Sequence, residues 1–185
     1  MSSYSGYANV DRGSTPLKSD TMEGVRGVAA ASAGNHAVAV AYAAAHHVPA
    51  KVIVPRTADA VRVASCRSFG AQVGIAETLQ EAHAMARRIG EQGGCAMVPA
   101  FEGYLTATGT ATLGAELLRQ VPDLDVVVAP IGGGGLIGGM AAHLKQVYPR
   151  CVVIGVVPAA TDTFCEACRR VGRNRQPPRS AWLIA

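Results

Sequence analysis

The sequence predicts an α/β protein: open, mainly parallel, twisted sheets with helices on both faces. Three observations carry that expectation. Between residues 24 and 160, strand-length runs of Val and Ile alternate with helix-length segments. Those runs are apolar at nearly every position, as in strands buried on both faces. Ala, Val and Gly dominate, with only three Phe, five Tyr and one Trp. Such a mix suits thin strands packed closely by Ala-rich helices, not an all-β sandwich.

The elements follow in order. Val25 to Ala31 reads as a strand and Asn35 to His46 as an Ala-rich helix. Lys51 to Val54 is a short strand that Pro55 stops. Ala58 to Phe69 is a helix ended by Gly70, and Ala71 to Ile75 the next strand. From Thr78 to Ile89, Leu79, Ala82, Met85, Ala86 and Ile89 recur at helical spacing, with charges opposite. Gly93 and Gly94 end that helix, and Cys95 to Val98 is strand. Thr108 to Gln120 is helix, Asp125 to Ala129 strand, Leu136 to Val147 helix, and Cys151 to Val157 strand. Ligands of such sheets collect beyond the C-terminal ends of the strands. Two junctions therefore matter, Ala31 to Asn35 and Pro130 to Gly135.

Composition excludes several classes. The net charge is +4, and the Arg residues are scattered until Arg169, Arg170, Arg173, Arg175 and Arg179. That cluster reads as a solvated tail, so no nucleic-acid partner is expected. The apolar run after Asn35 is broken at His46 and His47, and no stretch is long enough to span a bilayer. Five cysteines (Cys66, Cys95, Cys151, Cys165, Cys168) are widely spread, without a secretory signal ahead of them. They read as reduced thiols of a cytoplasmic protein. Cys165 and Cys168 form a C-x-x-C with no further ligands at zinc spacing, so no metal site is expected.

At the second junction, Gly132, Gly133, Gly134 and Gly135 follow the strand and precede a helix. Four glycines weaken regular structure and have no evident packing use. Bare N–H groups there can curl around an anion, and the next helix aims its positive dipole end at the same point. Gly133, Gly135 and Gly138 also spell G-x-G-x-x-G, but a dinucleotide fold wants an acid ending the next strand. That strand ends in Val157 and Pro158, so a phosphate monoester fits better than a dinucleotide. At the first junction, Ser32 occupies the expected N-cap, and the N–H groups there suit a carboxylate. Asn35 offers an amide donor and acceptor toward the same pocket. The bland alternative makes Ser32 a cap and Asn35 a turn former.

In order along the chain stand Ala31-Ser32-Ala33-Gly34-Asn35-His36-Ala37, Val52-Ile53-Val54-Pro55, Phe69-Gly70-Ala71 and the Gly132 to Leu136 loop. Together these resemble the pyridoxal-phosphate (PLP) enzymes of the tryptophan synthase β-like fold, fold type II, most closely threonine/serine dehydratases and serine racemases. The resemblance covers roughly residues 14 to 162. It implies that Gly132, Gly133, Gly134, Gly135 and Leu136 hold the cofactor phosphate. Asn35 would bond the phenolic oxygen of the pyridine ring, and Ser32, Gly34 and His36 would line the substrate carboxylate site. The implied reaction is β-elimination of water from threonine or serine, giving ammonia and a 2-oxo acid.

The resemblance also exposes departures. The Ser-Phe-Lys-x-Arg-Gly type motif carrying the family's Schiff-base lysine has no counterpart before Ser32. Thr15-Pro16-Leu17 instead resembles an earlier family element, and the chain reaches Gly27 almost at once. The expectation is an incomplete fold: residues 1–26 a remnant of the larger lobe, 27–104 the smaller lobe, 105–185 part of the PLP-binding lobe. Missing strands would leave unpaired edges and apolar faces, with a homo-oligomer or a partner chain as the consequence. Among the three lysines, Lys51 opens a strand and Lys145 lies far along a helix, which leaves Lys18 as the conceivable substitute. Ala33 stands where serine racemases carry a second, basic serine, which favours elimination over racemisation. Val157 replaces a glutamate that helps bind a cation in some relatives, and Asp162 alone is a poor site. Thr110-Ala111 stands in place of a Gln-Gly pair. The functions in view are a PLP-dependent dehydratase and, alternatively, a non-catalytic PLP-binding remnant or partner subunit. A nucleotide-binding oxidoreductase rests on G-x-G-x-x-G alone.

Overall fold

A computed structural model describes residues 25–157. Lys18, the Thr15-Pro16-Leu17 element, Pro158, Asp162, the Cys165/Cys168 pair and the Arg cluster lie outside the described residues. The chain divides into two compact units after Ala100.

In the first unit the order is β1 (Gly27–Ala31), α1 (Asn35–Ala44), β2 (Ala50–Pro55), α2 (Ala60–Ser68), β3 (Gln72–Ala76), α3 (Leu79–Gly93) and β4 (Cys95–Met97). The strands form one parallel sheet in the order β3-β2-β1-β4. The chain steps outward from β1 to β2 and β3, then returns to the other side of β1. Right-handed crossovers therefore place α1 and α2 on one face and α3 on the other. On the first face Ala30, Val52 and Val54 meet Ala37, Val38, Val40, Ala41 and Cys66. On the second, Ala31, Ile53 and Ala76 meet Ala82 and Ala86. Small side chains let the helices lie close to the strands, and the sheet is covered on both faces as expected.

Local signals start α2 and α3. Asp59 accepts from the N–H groups of Val61 (2.8 Å) and Arg62 (3.3 Å), and Thr78 accepts from Glu81 N–H (3.1 Å). Glu81 in turn accepts from Glu77 N–H (2.8 Å), a variant of the reciprocal cap. α3 continues past Ile89 to Gly93, and Gly94 closes it at φ +64°. Pro55 is the last residue of β2, paired with Ala76, and not a stop before it. At the end of a strand proline's missing N–H disturbs little.

The second unit holds α4 (Tyr104–Gln120), β5 (Val126–Pro130), α5 (Gly135–Val147) and β6 (Val152–Val156). Helix α4 begins a turn before Thr108, because Gly103 at φ +88° redirects the chain just ahead of Tyr104. β5 and β6 pair in parallel, Val126 opposite Val152 and Pro130 opposite Val156. One face is covered: Val127, Ala129 and Val153 pack with Ile137, Met140 and Leu144. Among the described residues the other face is open, as the expected incomplete fold implies. Val126, Val128, Val152 and Val156 are 48%, 63%, 38% and 51% exposed.

Candidate active site

The site residues expected from sequence fall in two groups, one in each unit. In the first unit the strand order reverses at β1, whose neighbours β2 and β4 are reached in opposite directions. The crevice beyond the C-terminal ends of β1 and β4 is thus the switch point where ligands of open α/β sheets bind. Ser32, Gly34, Asn35 and His36 lie there, directly after β1.

Ser32 is not the N-cap of α1. Gly34 holds that position, and no side chain caps the helix. The Ser32 hydroxyl instead accepts from Gly34 N–H at 3.0 Å, a local turn that competes with capping. α1 thus starts without a side-chain cap, unlike α2 and α3. Asn35 is exposed, and its Oδ1 accepts from Nε of Arg62 on α2 at 3.3 Å. With the oxygen so engaged, its amide nitrogen is the end that can donate to a ligand.

His36 turns inward. It is 8% exposed, and Nε2 donates to the Val98 carbonyl at 3.0 Å. Burial holds its pKa below the ordinary histidine value, with the Val98 bond opposing and His83 assisting weakly. A neutral imidazole bonded to backbone is a tie between α1 and the end of β4.

In the second unit, β5 delivers the chain to Ile131, whose N–H bonds the Val156 carbonyl at 2.8 Å. Gly132 to Gly135 then turn into α5. Gly134 is the N-cap at φ +88°, a conformation that favours glycine, and no side chain caps this helix either. Its carbonyl accepts the first helical bond from Gly138 N–H at 2.9 Å. The N–H groups of Gly135, Leu136 and Ile137 open the helix at its positive dipole end. A Cβ on Gly132 would meet nothing within 4 Å, so this side of the loop is open. These features fit a phosphate held by backbone donors.

Gly133 corrects the expectation that the glycines have no packing use. A Cβ there would lie 2.2 Å from Cδ1 of Phe101. Sequence reasoning passed over Phe101 and noted Thr110 only as a departure from a Gln-Gly pair; it is a buried residue of α4 whose Oγ1 lies 3.0 Å from the Gly135 carbonyl oxygen. The available signal was a small residue inside each helix, Gly114 on α4 and Gly139 on α5, where a Cβ would run into the facing helix.

Neither described lysine sits at these turns. Lys51 lies in the N-terminal half of β2, opposite Ala29. Lys145 lies ten residues past Gly135, about 15 Å along the helix axis, and reaches toward the Pro149 carbonyl at 3.5 Å. Among the described residues no three His, Cys, Asp or Glu side chains gather to hold a metal. Among them, too, no helix is long and apolar enough to cross a membrane.

The family model described as "Pyridoxal-phosphate dependent enzyme" matches residues 6–183. Phenylserine dehydratase of Ralstonia pickettii is 48% identical over 149 residues, 80% of this chain and 46% of that protein. L-threonine ammonia-lyase of Thermotoga maritima is 40% identical over 147 residues, 78% of this chain and 37% of that protein. Maize serine racemase superposes with a TM-score of 0.78 at 29% identity, over 95% of this chain and 52% of that one. The chain thus matches less than half the length of the dehydratase and the ammonia-lyase, and about half of the racemase. The chain shares its fold with such proteins and belongs to the pyridoxal-phosphate dependent enzyme family.

Proposed function

We propose that this chain carries the cofactor-phosphate and substrate-carboxylate elements of a PLP-dependent dehydratase acting on a small β-hydroxy amino acid, threonine or serine. The observation that carries the reading is the glycine loop, with Gly134 in the left-handed region ahead of an uncapped α5. In this reading Gly132 to Gly135 and Leu136 donate backbone N–H groups to the phosphate. Asn35, its amide end set by Arg62, donates to the phenolic oxygen of the ring. Ser32, Gly34 and the backbone N–H of His36 receive the substrate carboxylate. When bound, PLP supplies an electron sink for the substrate α-carbon. The site would then serve the net conversion of the β-hydroxy amino acid to a 2-oxo acid and ammonia, the water formed from its α-proton and β-hydroxyl being taken up again on hydrolysis. The relatives named for dehydration and ammonia release support this class, and Ala33, which cannot act as a base, supports elimination over racemisation. The buried thiols Cys66 and Cys151 suit a reducing cytoplasm.

A second reading has its own support. With Lys51 away from the turn that starts α1, and Lys145 away from the turn that starts α5, the chain holds the cofactor without a covalent lysine and acts as a binding subunit.

One experiment separates the two. The protein is incubated with PLP, reduced with borohydride and mapped by mass spectrometry, with 2-oxo acid measured from threonine and serine. A tag on Lys18 with 2-oxo acid formed supports the enzyme. Retained PLP with no tagged lysine and no product supports the binding subunit. Failure to retain PLP at all would remove both.

A further inference from the structure

Thr110 lies in the middle of α4 and is 2% exposed. Its Oγ1 is 3.0 Å from the Thr106 carbonyl oxygen and 3.2 Å from that of Ala107, both on its own helix. It is equally 3.0 Å from the carbonyl oxygen of Gly135, the first residue of α5. A threonine hydroxyl inside a helix ordinarily bonds back within its own turn. Here the same atom also reaches the neighbouring helix at the residue where the glycine loop ends.

The approach depends on Gly139. A Cβ on Gly139 would lie 2.0 Å from Thr110 Oγ1 and 2.3 Å from the Ala107 carbonyl oxygen. The helices therefore touch backbone to backbone one turn beyond Gly135, and the hydroxyl fills the notch that glycine leaves. With no slack between the helices, a contact at Gly135 sets where the first turn of α5 points.

We propose that Thr110 is a positioning residue for the phosphate cradle. Its hydroxyl has one proton to give among three carbonyl oxygens, and by donating it to Gly135 it pins that carbonyl to α4 and so fixes the direction of the N–H groups that the loop and the first turn of α5 present. Those donors favour a phosphate only while they converge, since hydrogen bonds weaken steeply as they bend. The proposal rests on the reading that Gly132 to Gly135 bind the phosphate of PLP. It adds a residue that touches neither phosphate nor ring.

The test compares wild type, Thr110→Val and Thr110→Ser by equilibrium dialysis against PLP and against pyridoxal, which lacks the phosphate. Thermal melts accompany each protein. The expected result is selective: Thr110→Val weakens PLP binding about ten-fold, the effect of one hydrogen bond, and leaves pyridoxal binding unchanged. Thr110→Ser, which keeps the hydroxyl, stays close to wild type. A merely structural role would lower both ligands together, or track the melting temperature. If Thr110→Val fails to fold, Thr110→Ala replaces it in the same comparison. Equal PLP binding by wild type and the hydroxyl-free variant overturns the role of Thr110 while the cradle stands. A wild type that binds PLP no better than pyridoxal overturns the cradle, and the positioning role with it.

Discussion

His36 Nε2 donates to the carbonyl oxygen of Val98 across 3.0 Å, joining the first turn of α1 to the residue just past β4. These two elements flank the switch point of the sheet. The bond therefore holds the walls of the candidate carboxylate site at a fixed spacing, with the imidazole as a strut.

The strut carries a pH dependence. Folded His36 has its pKa lowered by burial, whereas the unfolded chain takes up the proton near the ordinary value of 6.5. Between these values the unfolded state binds more protons, so the stabilisation is complete above 6.5 and declines as pH falls toward the folded value. Melting temperatures of wild type should drop between pH 7 and pH 5, and His36→Gln should flatten that drop. Parallel pH profiles for the two proteins would assign the dependence to another group.

The loop glycines should differ in their response to alanine. At Gly134, φ is +88°, and a side chain there costs about 1 kcal/mol in backbone strain. Gly132→Ala meets open space and should leave the melting temperature within error. Gly134→Asp adds a carboxylate facing the phosphate position, and PLP retention after gel filtration should vanish. Unchanged retention would mean that the phosphate binds elsewhere.

Gly133 and Phe101 should be coupled. Gly133→Ala drives a methyl into the ring, and overpacking of this kind costs about 1–3 kcal/mol. Phe101 is 45% exposed, so removing its ring costs less than removing a core aromatic. In Phe101→Ala the added methyl should be tolerated, and a double-mutant cycle in urea would read the difference as an interaction energy. Additive effects would show that the ring moves aside freely.

Gly139→Ala should be the most damaging of these substitutions. The new methyl meets a carbonyl oxygen of the facing helix, which cannot swing away as a side chain can. A loss of about 3 kcal/mol or more is expected, visible as a lowered urea midpoint for the second unit.

Much of this was legible in the residues themselves. The helix expected from Ala58 to Phe69 falls within two residues of the one observed, and the next starts one residue after Thr78 and stops at the glycine pair expected to end it. The Val-rich strands declare a parallel sheet because burial on both faces leaves no polar alternation. Ser32 misleads for a physical reason: a serine near a helix start can cap the helix or fold back on its own turn, and only the path of the chain decides. Thr110, Phe101 and Arg62 stay hidden because each acts on a residue far along the chain. Nothing in a threonine inside a helix says that a glycine 29 positions later will bring a second backbone against it.

The uncovered valines of β5 and β6 have a consequence for the second unit as a thermodynamic object. Whatever seats on Val126, Val128, Val152 and Val156 binds the folded form and has no equivalent surface on the unfolded chain. Were that cover a second chain, mass action would tie the folding equilibrium of this unit to its concentration, and dilution would act as a denaturant does.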